Sequence, residues 1–160
     1  MTKKKIYALI VLLVLVGTAF FQGTEYIPPE APAAVTDATG LTVELLEEDE
    51  WYYGVHDVAL YLDTYGHLPG NYITKDEARE LGWEGGSLKE LAPGMIIGGD
   101  RFGNREGLLP EKDGRTYYEC DILSPDADSR GASRIVYSTD GFIYFTRDHY
   151  ESFELLYGEE

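Results

Sequence analysis

Residues 115 to 148 read RTYYECDILSPDADSRGASRIVYSTDGFIYFTRD, and the fold class follows from them. Three runs, RTYYECDIL, SRIVYST and GFIYFTRD, are short, rich in β-branched and aromatic residues, and separated by turn formers, which predicts an antiparallel sheet. Within the first run, alternation sets Tyr117, Glu119 and Asp121 on one face and Tyr118, Cys120 and Ile122 on the other. Carboxylates are rarely buried unpaired, so the Glu119–Asp121 face is expected to be open. Cys120 is expected in the core as an inert small hydrophobe. It is the single cysteine, so no internal disulfide is available and stability must come from packing.

Upstream the periodicity changes. Val55, Val58, Leu62 and Tyr65 recur at helical spacing, predicting a first helix over 55–65 stopped by Gly66 and Pro69. Thr74 and Glu77 form a capping box that opens a second helix running to Gly82. Ser87 and Glu90 repeat the device for a short third helix, ended by APG at 92–94. Helices first and strands afterwards is an α+β layout, with the N-terminal helices packed on one face of a C-terminal antiparallel sheet.

The start, MTKKKIYALIVLLVLVGTAFFQG, places three lysines before an apolar run from Ile6 to Phe21, the pattern of an export signal. Residues 1–21 are therefore expected to be a signal peptide or, if uncleaved, a membrane anchor. Residues 22–50 mix Pro, Ala, Thr and Gly before an acidic run and read as a flexible linker, with the folded domain over 51–160. The formal charge is −16. Residues 1–49 hold three lysines against seven acids, net −4, and residues 50–160 hold ten cations against twenty-two acids, net −12. Any site for a polyanion must then be a local basic cleft on an acidic body.

Between helices and strands, residues 98–110 read GGDRFGNREGLLP. Glycine and asparagine accept positive backbone dihedrals, so this is a tightly bent loop able to turn its N–H groups inward. By itself it reads first as a decorated turn between two strands.

The segments DVALYLDTYGHLPGNYITKDEARELGW, APGMIIGGDRFGNREGLLP, GRTYYECDI and SRIVYSTDGFIYFTRDHYESF, in that order, resemble the barnase group of guanyl-specific bacterial extracellular ribonucleases over roughly residues 55–154. The resemblance implies a secreted, metal-independent, monomeric endoribonuclease with no cofactor, acting on single-stranded RNA and not on DNA. In that chemistry a carboxylate, matched by Glu119, removes the proton of the ribose 2′-hydroxyl. A histidine, matched by His149, protonates the leaving 5′-oxygen, giving a 2′,3′-cyclic phosphate that is later hydrolysed to a 3′-phosphate. Carboxylates and imidazoles ordinarily titrate near ~4.3 and ~6.5, so one can start deprotonated and the other protonated at mildly acidic pH. Lys75, Arg130 and Arg134 match cations that hold the phosphate, and Asp100 and Asp121 match carboxylates that hold those cations.

The resemblance also gives the glycine-rich loop a task. Backbone N–H groups of Gly103, Asn104 and Arg105 match donors to a guanine oxygen, and Glu106 matches the acceptor for the ring and exocyclic N–H groups. Phe102 and Tyr150 match aromatics that flank the base. Without the resemblance, Glu119, Asp121, Arg130 and Arg134 read as a cross-strand ion-pair lattice. The departures are the acidic net charge, Leu108 in place of a lysine, and the longer segment LSPDADSRGAS with Asp126 and Asp128 beside Arg130. They admit an alternative: a catalytically weak RNA-binding or toxin-type module held in check by a barstar-like acidic inhibitor.

Overall fold

The computed structural model describes residues 34–36, 42–44 and 46–159, all within one of two units of the chain, Pro32–Glu160. The expected export segment over 1–21 lies outside the described residues, as does much of the linker. Strands β1 (Ala34–Thr36) and β2 (Thr42–Glu44) pair antiparallel as a separate ladder. The main sheet has six strands in chain order: β3 (Tyr72–Ile73), β4 (Ile96–Phe102), β5 (Tyr117–Asp121), β6 (Arg134–Ser138), β7 (Ile143–Thr146) and β8 (Glu154–Tyr157). Only β3 and β4 run parallel, and every later neighbour is antiparallel, the arrangement that the alternating runs predict.

Helix α1 (Val55–Tyr65) has the expected bounds. Gly66 ends it at φ 77°, donating its N–H to Leu62 O, because a left-handed cap costs glycine nothing. Val58, Ala59 and Leu62 pack on Cys120, Ile135 and Ile143 to form the main core. Burial pushes the Cys120 thiol pKa well up, which keeps it protonated and inert. Helix α2 (Lys75–Glu80) carries the complete capping box: Thr74 Oγ1 accepts from Glu77 N, and the Glu77 carboxylate accepts from Thr74 N. Its Ala78 packs with Leu88 and Ile97 in a smaller cluster.

The third helix expected from SLKE is instead a turn in which Leu91 N and Ala92 N both donate to Leu88 O. Ser87 Oγ caps only Lys89 N, and Pro93 follows too soon for a second turn of helix. Residues 46–50, read from sequence as linker, are docked on α1. Tyr65 Oη donates to Leu46 O at 2.6 Å, Tyr61 Oη to Glu48 O at 2.9 Å and Tyr52 Oη to Glu47 O at 3.1 Å, and Leu46 is buried. The acids at 47–50 are exposed, and none lines the cavity described below.

The opposite face of the sheet is also covered. Tyr117, Val136 and Tyr144 pack there with Leu109 and Phe142, and Phe102, Tyr150 and Phe153 border them. Strand register places Asp121 opposite Arg134, and Glu119 opposite Val136, on this second face. The expectation that Asp121 is open is corrected: it is 1% exposed, and arginine partners make its burial possible.

Strand β4 enters this face through a bulge. Gly98 pairs with Cys120 but Asp100 pairs with Glu119, so one residue is inserted, and Gly99 takes φ 93° to accommodate it. An uninterrupted ladder would set Asp100 opposite Tyr118, on the helix side; the bulge turns Asp100 and Phe102 to the face that holds Glu119. Gly98 itself has no room for a side chain, since an added Cβ would stand 2.6 Å from both Cys120 Cβ and Tyr72 Cδ1. We expect Gly98→Ala to lower stability by about 1–3 kcal/mol through overpacking, and Gly70→Ala, where nothing lies within 4 Å, to stay within about 0.5 kcal/mol of the parent. The shift in urea midpoint at constant slope measures both.

Candidate active site

Glu119 is central to a cavity of about 570 Å³ that is lined by Lys75, Arg101, Phe102, residues 103–106, Arg130, His149 and Tyr150. Its side chain is 12% exposed. One carboxylate oxygen accepts from Lys75 Nζ at 2.6 Å and the other from Tyr150 Oη at 2.5 Å. Burial, then the hydrogen bond to Glu119, raises the Tyr150 phenol well above its ordinary range, so it stays a donor. Lys75 is presented by the first turn of α2. Asp100, turned inward by the bulge, accepts Lys75 N at 3.0 Å and lies 3.9 Å from Lys75 Nζ.

Beneath this cavity, Asp121 binds Arg130 in a fork, at 2.5 Å to Nε and 2.8 Å to a terminal nitrogen. Arg134 Nε stands 2.7 Å from the same carboxylate, but its N–H is aligned with no acceptor, so that contact is between charges rather than a hydrogen bond. The terminal nitrogens of Arg134 donate to the carbonyls of Arg130, Gly131 and Ser133. With its side chain 3% exposed, Arg134 does not line the cavity. Arg130 does, and its guanidinium stands 5.7 Å from the Trp83 ring centroid. The acids at 126 and 128 do not take Arg130 away: Asp128 pairs with Lys89, and Asp121 keeps Arg130.

His149 enters from the turn after β7 and is exposed. His149 and Tyr150 both have left-handed backbones, φ 57° and 77°, a strain of roughly 1–2 kcal/mol each. A polar clasp holds them. Asp148 accepts from Ser152 N at 3.0 Å, from Ser152 Oγ at 2.5 Å and from Thr146 Oγ1 at 2.8 Å. Thr146 Oγ1 accepts from Tyr150 N at 3.0 Å, and His149 N donates to Ala132 O. Thr146, Asp148 and Ser152 escape a reading of the sequence aimed at chemistry, although their spacing is that of side chains bonding to nearby backbone.

The loop after β4 is closed by Asn104, whose amide donates to Leu109 O at 2.8 Å and accepts from Leu109 N at 3.0 Å. Asn104 sits at φ 42° and Gly107 at φ 65°. Among the described residues, no protein acceptor takes the N–H of Asn104 or Arg105. Glu106 is exposed at the cavity edge. Phe102 and Tyr150 are tilted against one another with centroids 5.2 Å apart, in contact rather than parted by a slot. All thirteen residues expected from sequence thus converge on one place, with Arg134, Asp121 and Asp100 beneath or beside the cavity instead of lining it.

Comparison with known proteins identifies the family. The ribonuclease family pattern matches residues 56–157. The chain belongs to that ribonuclease family. It is 44% identical over 160 residues to a ribonuclease of Bacillus pumilus, covering 94% of this chain and 97% of the relative. To a ribonuclease of Heyndrickxia coagulans it is 54% identical over 98 residues, 60% of this chain and 89% of the relative. Guanyl-specific ribonuclease St of Saccharopolyspora erythraea is 46% identical over 57 residues, 36% of this chain and 56% of that protein. The protein is an RNA-cleaving enzyme.

The clasp gives a pH signature. Hydrogen bonds from the Ser152 hydroxyl, then from Ser152 N and the Thr146 hydroxyl, hold the Asp148 carboxyl at about 2, below its ordinary 3.8. A depressed carboxyl contributes stability that is complete above the unfolded value and lost as pH falls through the folded one. Asp148→Asn is therefore expected to be less stable than the parent near neutrality, with the gap closing between about pH 4 and about pH 2. Melting temperatures of the two proteins across that interval test it, and a gap independent of pH would remove the clasp.

Proposed function

We propose that this ribonuclease is a secreted, guanyl-preferring endonuclease that cleaves single-stranded RNA by transesterification, without a metal. The observation that carries the reading is the pairing of a cation-held carboxylate, Glu119, with His149 in one cavity. Glu119 takes the 2′-hydroxyl proton, the alkoxide attacks the adjacent phosphorus, and His149 gives its proton to the departing 5′-oxygen. The 2′,3′-cyclic phosphate that forms is then hydrolysed by the reverse proton traffic. Lys75 and Arg130 face the phosphoryl oxygens as negative charge grows on them. Arg134 and Asp121 act through Arg130, whose direction and backbone they hold, and Asp100 acts through Lys75. The apolar start of the chain directs export.

Guanine is the base that suits the loop. Its pairing edge has an acceptor oxygen beside two donors, which the free N–H groups of Asn104 and Arg105 and the carboxylate of Glu106 complement. Phe102 and Tyr150 touch, with ring centroids 5.2 Å apart, so a base that stacks between them displaces Tyr150. That same movement takes the Tyr150 hydroxyl off Glu119 and frees the oxygen that accepts the 2′-hydroxyl proton.

The test is incubation of the full chain with guanylyl-3′,5′-uridine in the presence of a chelator, with guanosine 2′,3′-cyclic phosphate expected as first product. Glu119→Ala and His149→Ala are each expected to lower turnover by about 10² to 10⁴ with the fold retained. Losses below tenfold in both would overturn the assignment. Base preference has its own test. Glu106→Gln presents a donor to the donor edge of guanine, a mismatch of about 1 to 3 kcal/mol. The ratio of cleavage after guanosine to cleavage after adenosine should fall accordingly, and an unchanged ratio would return the loop to an ordinary turn.

A further inference from the structure

Residues 50–160 contain ten lysines and arginines in an acidic surround. Eight of them have a carboxylate oxygen within 3.7 Å. Among the described residues, the two without one are Arg101 and Arg105, and both line the candidate active-site cavity. Both are exposed. The Arg105 side chain folds back over Gly103, where an added Cβ would meet Arg105 Cγ at 3.5 Å and Nε at 3.7 Å. Where the other eight cations of residues 50–160 lie near acids, two unmatched arginines lining one cavity mark a place where negative charge is to arrive from outside.

A second cavity, about 530 Å³, adjoins the first at this point. The two share only Arg101, Phe102, Gly103 and Asn104. The second contains neither Glu119 nor His149 and is lined further by Lys112 and Thr116. On the guanyl-preferring reading, a base on residues 103–106 with its 3′-phosphate at Glu119 and His149 leaves the far side of the shared segment, the second cavity, for the group on its 5′-oxygen.

We infer that this second cavity is a subsite for the phosphate on the 5′ side of the recognised guanosine, held by Arg101, an inference that rests on the guanyl-preferring reading above. Arg101, opposite Tyr118 on β4, is exposed and lines both cavities, so its long side chain can serve an anion in the second. Lys112 is drawn toward Asp140 at 3.6 Å and Arg115 is held by the same carboxylate at 2.9 Å, and Glu111 and Asp113 line the same cavity. An anion is therefore favoured only where Arg101 reaches, and the subsite accepts one phosphate rather than an extended backbone.

The test compares guanylyl-3′,5′-uridine with the same dinucleotide carrying a 5′-phosphate. The parent enzyme is expected to cleave the phosphorylated substrate about tenfold more efficiently, the contribution of one charge-assisted hydrogen bond. The gain should lie in KM rather than kcat, because the contact is as strong before the transition state as in it. It should shrink with added salt. In Arg101→Ala the ratio of the two efficiencies should fall to near one, and Arg101→Lys should retain part of it. Binding of guanosine 3′-phosphate and of guanosine 3′,5′-bisphosphate, followed by calorimetry, should show the same ratio without turnover. Equal efficiencies in the parent, or a gain that survives Arg101→Ala, would overturn the subsite while leaving the guanyl reading standing. Failure to cleave or bind any of these guanosine compounds would overturn that reading and the subsite with it.

Discussion

A single buried carboxylate organises the active face. Asp121 is 1% exposed, a position that an isolated charge cannot hold, and it is stable there because two guanidiniums meet it. Taking these ions from water costs several kcal/mol each before their attraction is counted, so the cluster is a poor source of net stability. Its use is geometric. The fork from Asp121 fixes Arg130 as one wall of the cavity, and Arg134 threads beneath to hold the carbonyls of Arg130, Gly131 and Ser133. A connection rich in small polar residues thereby becomes a rigid support. Asp121, Arg134 and Thr146 fall in one row across β5, β6 and β7, and Thr146 begins the clasp that holds His149 and Tyr150. The anchor for Arg130 and the anchor for His149 are thus adjoining parts of one buried polar row.

The net charge of −16 and a polyanionic substrate are reconciled by how charges are placed. Acids pair with cations that are structural: Asp140 takes Arg115, which also donates to Pro110 O and stacks on Phe142, tying the end of the loop after β4 to the turn between β6 and β7. Asp128 takes Lys89 across two loops. Acids near the cleft serve the cations that face it. Residues 47–50, the densest acidic run, do not line the cavity, and tyrosine hydroxyls hold the carbonyls of residues 46–48. A chain can be acidic overall and still present positive charge where a phosphodiester approaches, because interactions of exposed charges fade within about 8–10 Å at ordinary ionic strength.

Most of the architecture was legible in the residues. Alternation in 115–148 identified three central strands and put Glu119 and Asp121 on one face, and helical spacing and the Thr74–Glu77 box located both helices. These are local properties of backbone and side-chain periodicity, so a linear reading finds them. Ser87–Glu90 failed as a helix because a capping signal says nothing of the length that follows it. The residues that bear on chemistry were legible only through family resemblance, since a lone histidine or a pair of strand carboxylates has no distinctive local pattern. What needed the folded chain was every property set by two segments at once. Whether Asp121 is open or buried depends on arginines nine and thirteen residues later. The glycine pair at 98–99 announces a bend, but the side to which Asp100 and Phe102 turn is fixed by the register of β4 on β5, where one inserted residue exchanges the two faces. That Arg101 and Arg105 are unmatched follows from where all the other charges come to rest, because pairing depends on distance in space and composition records only totals.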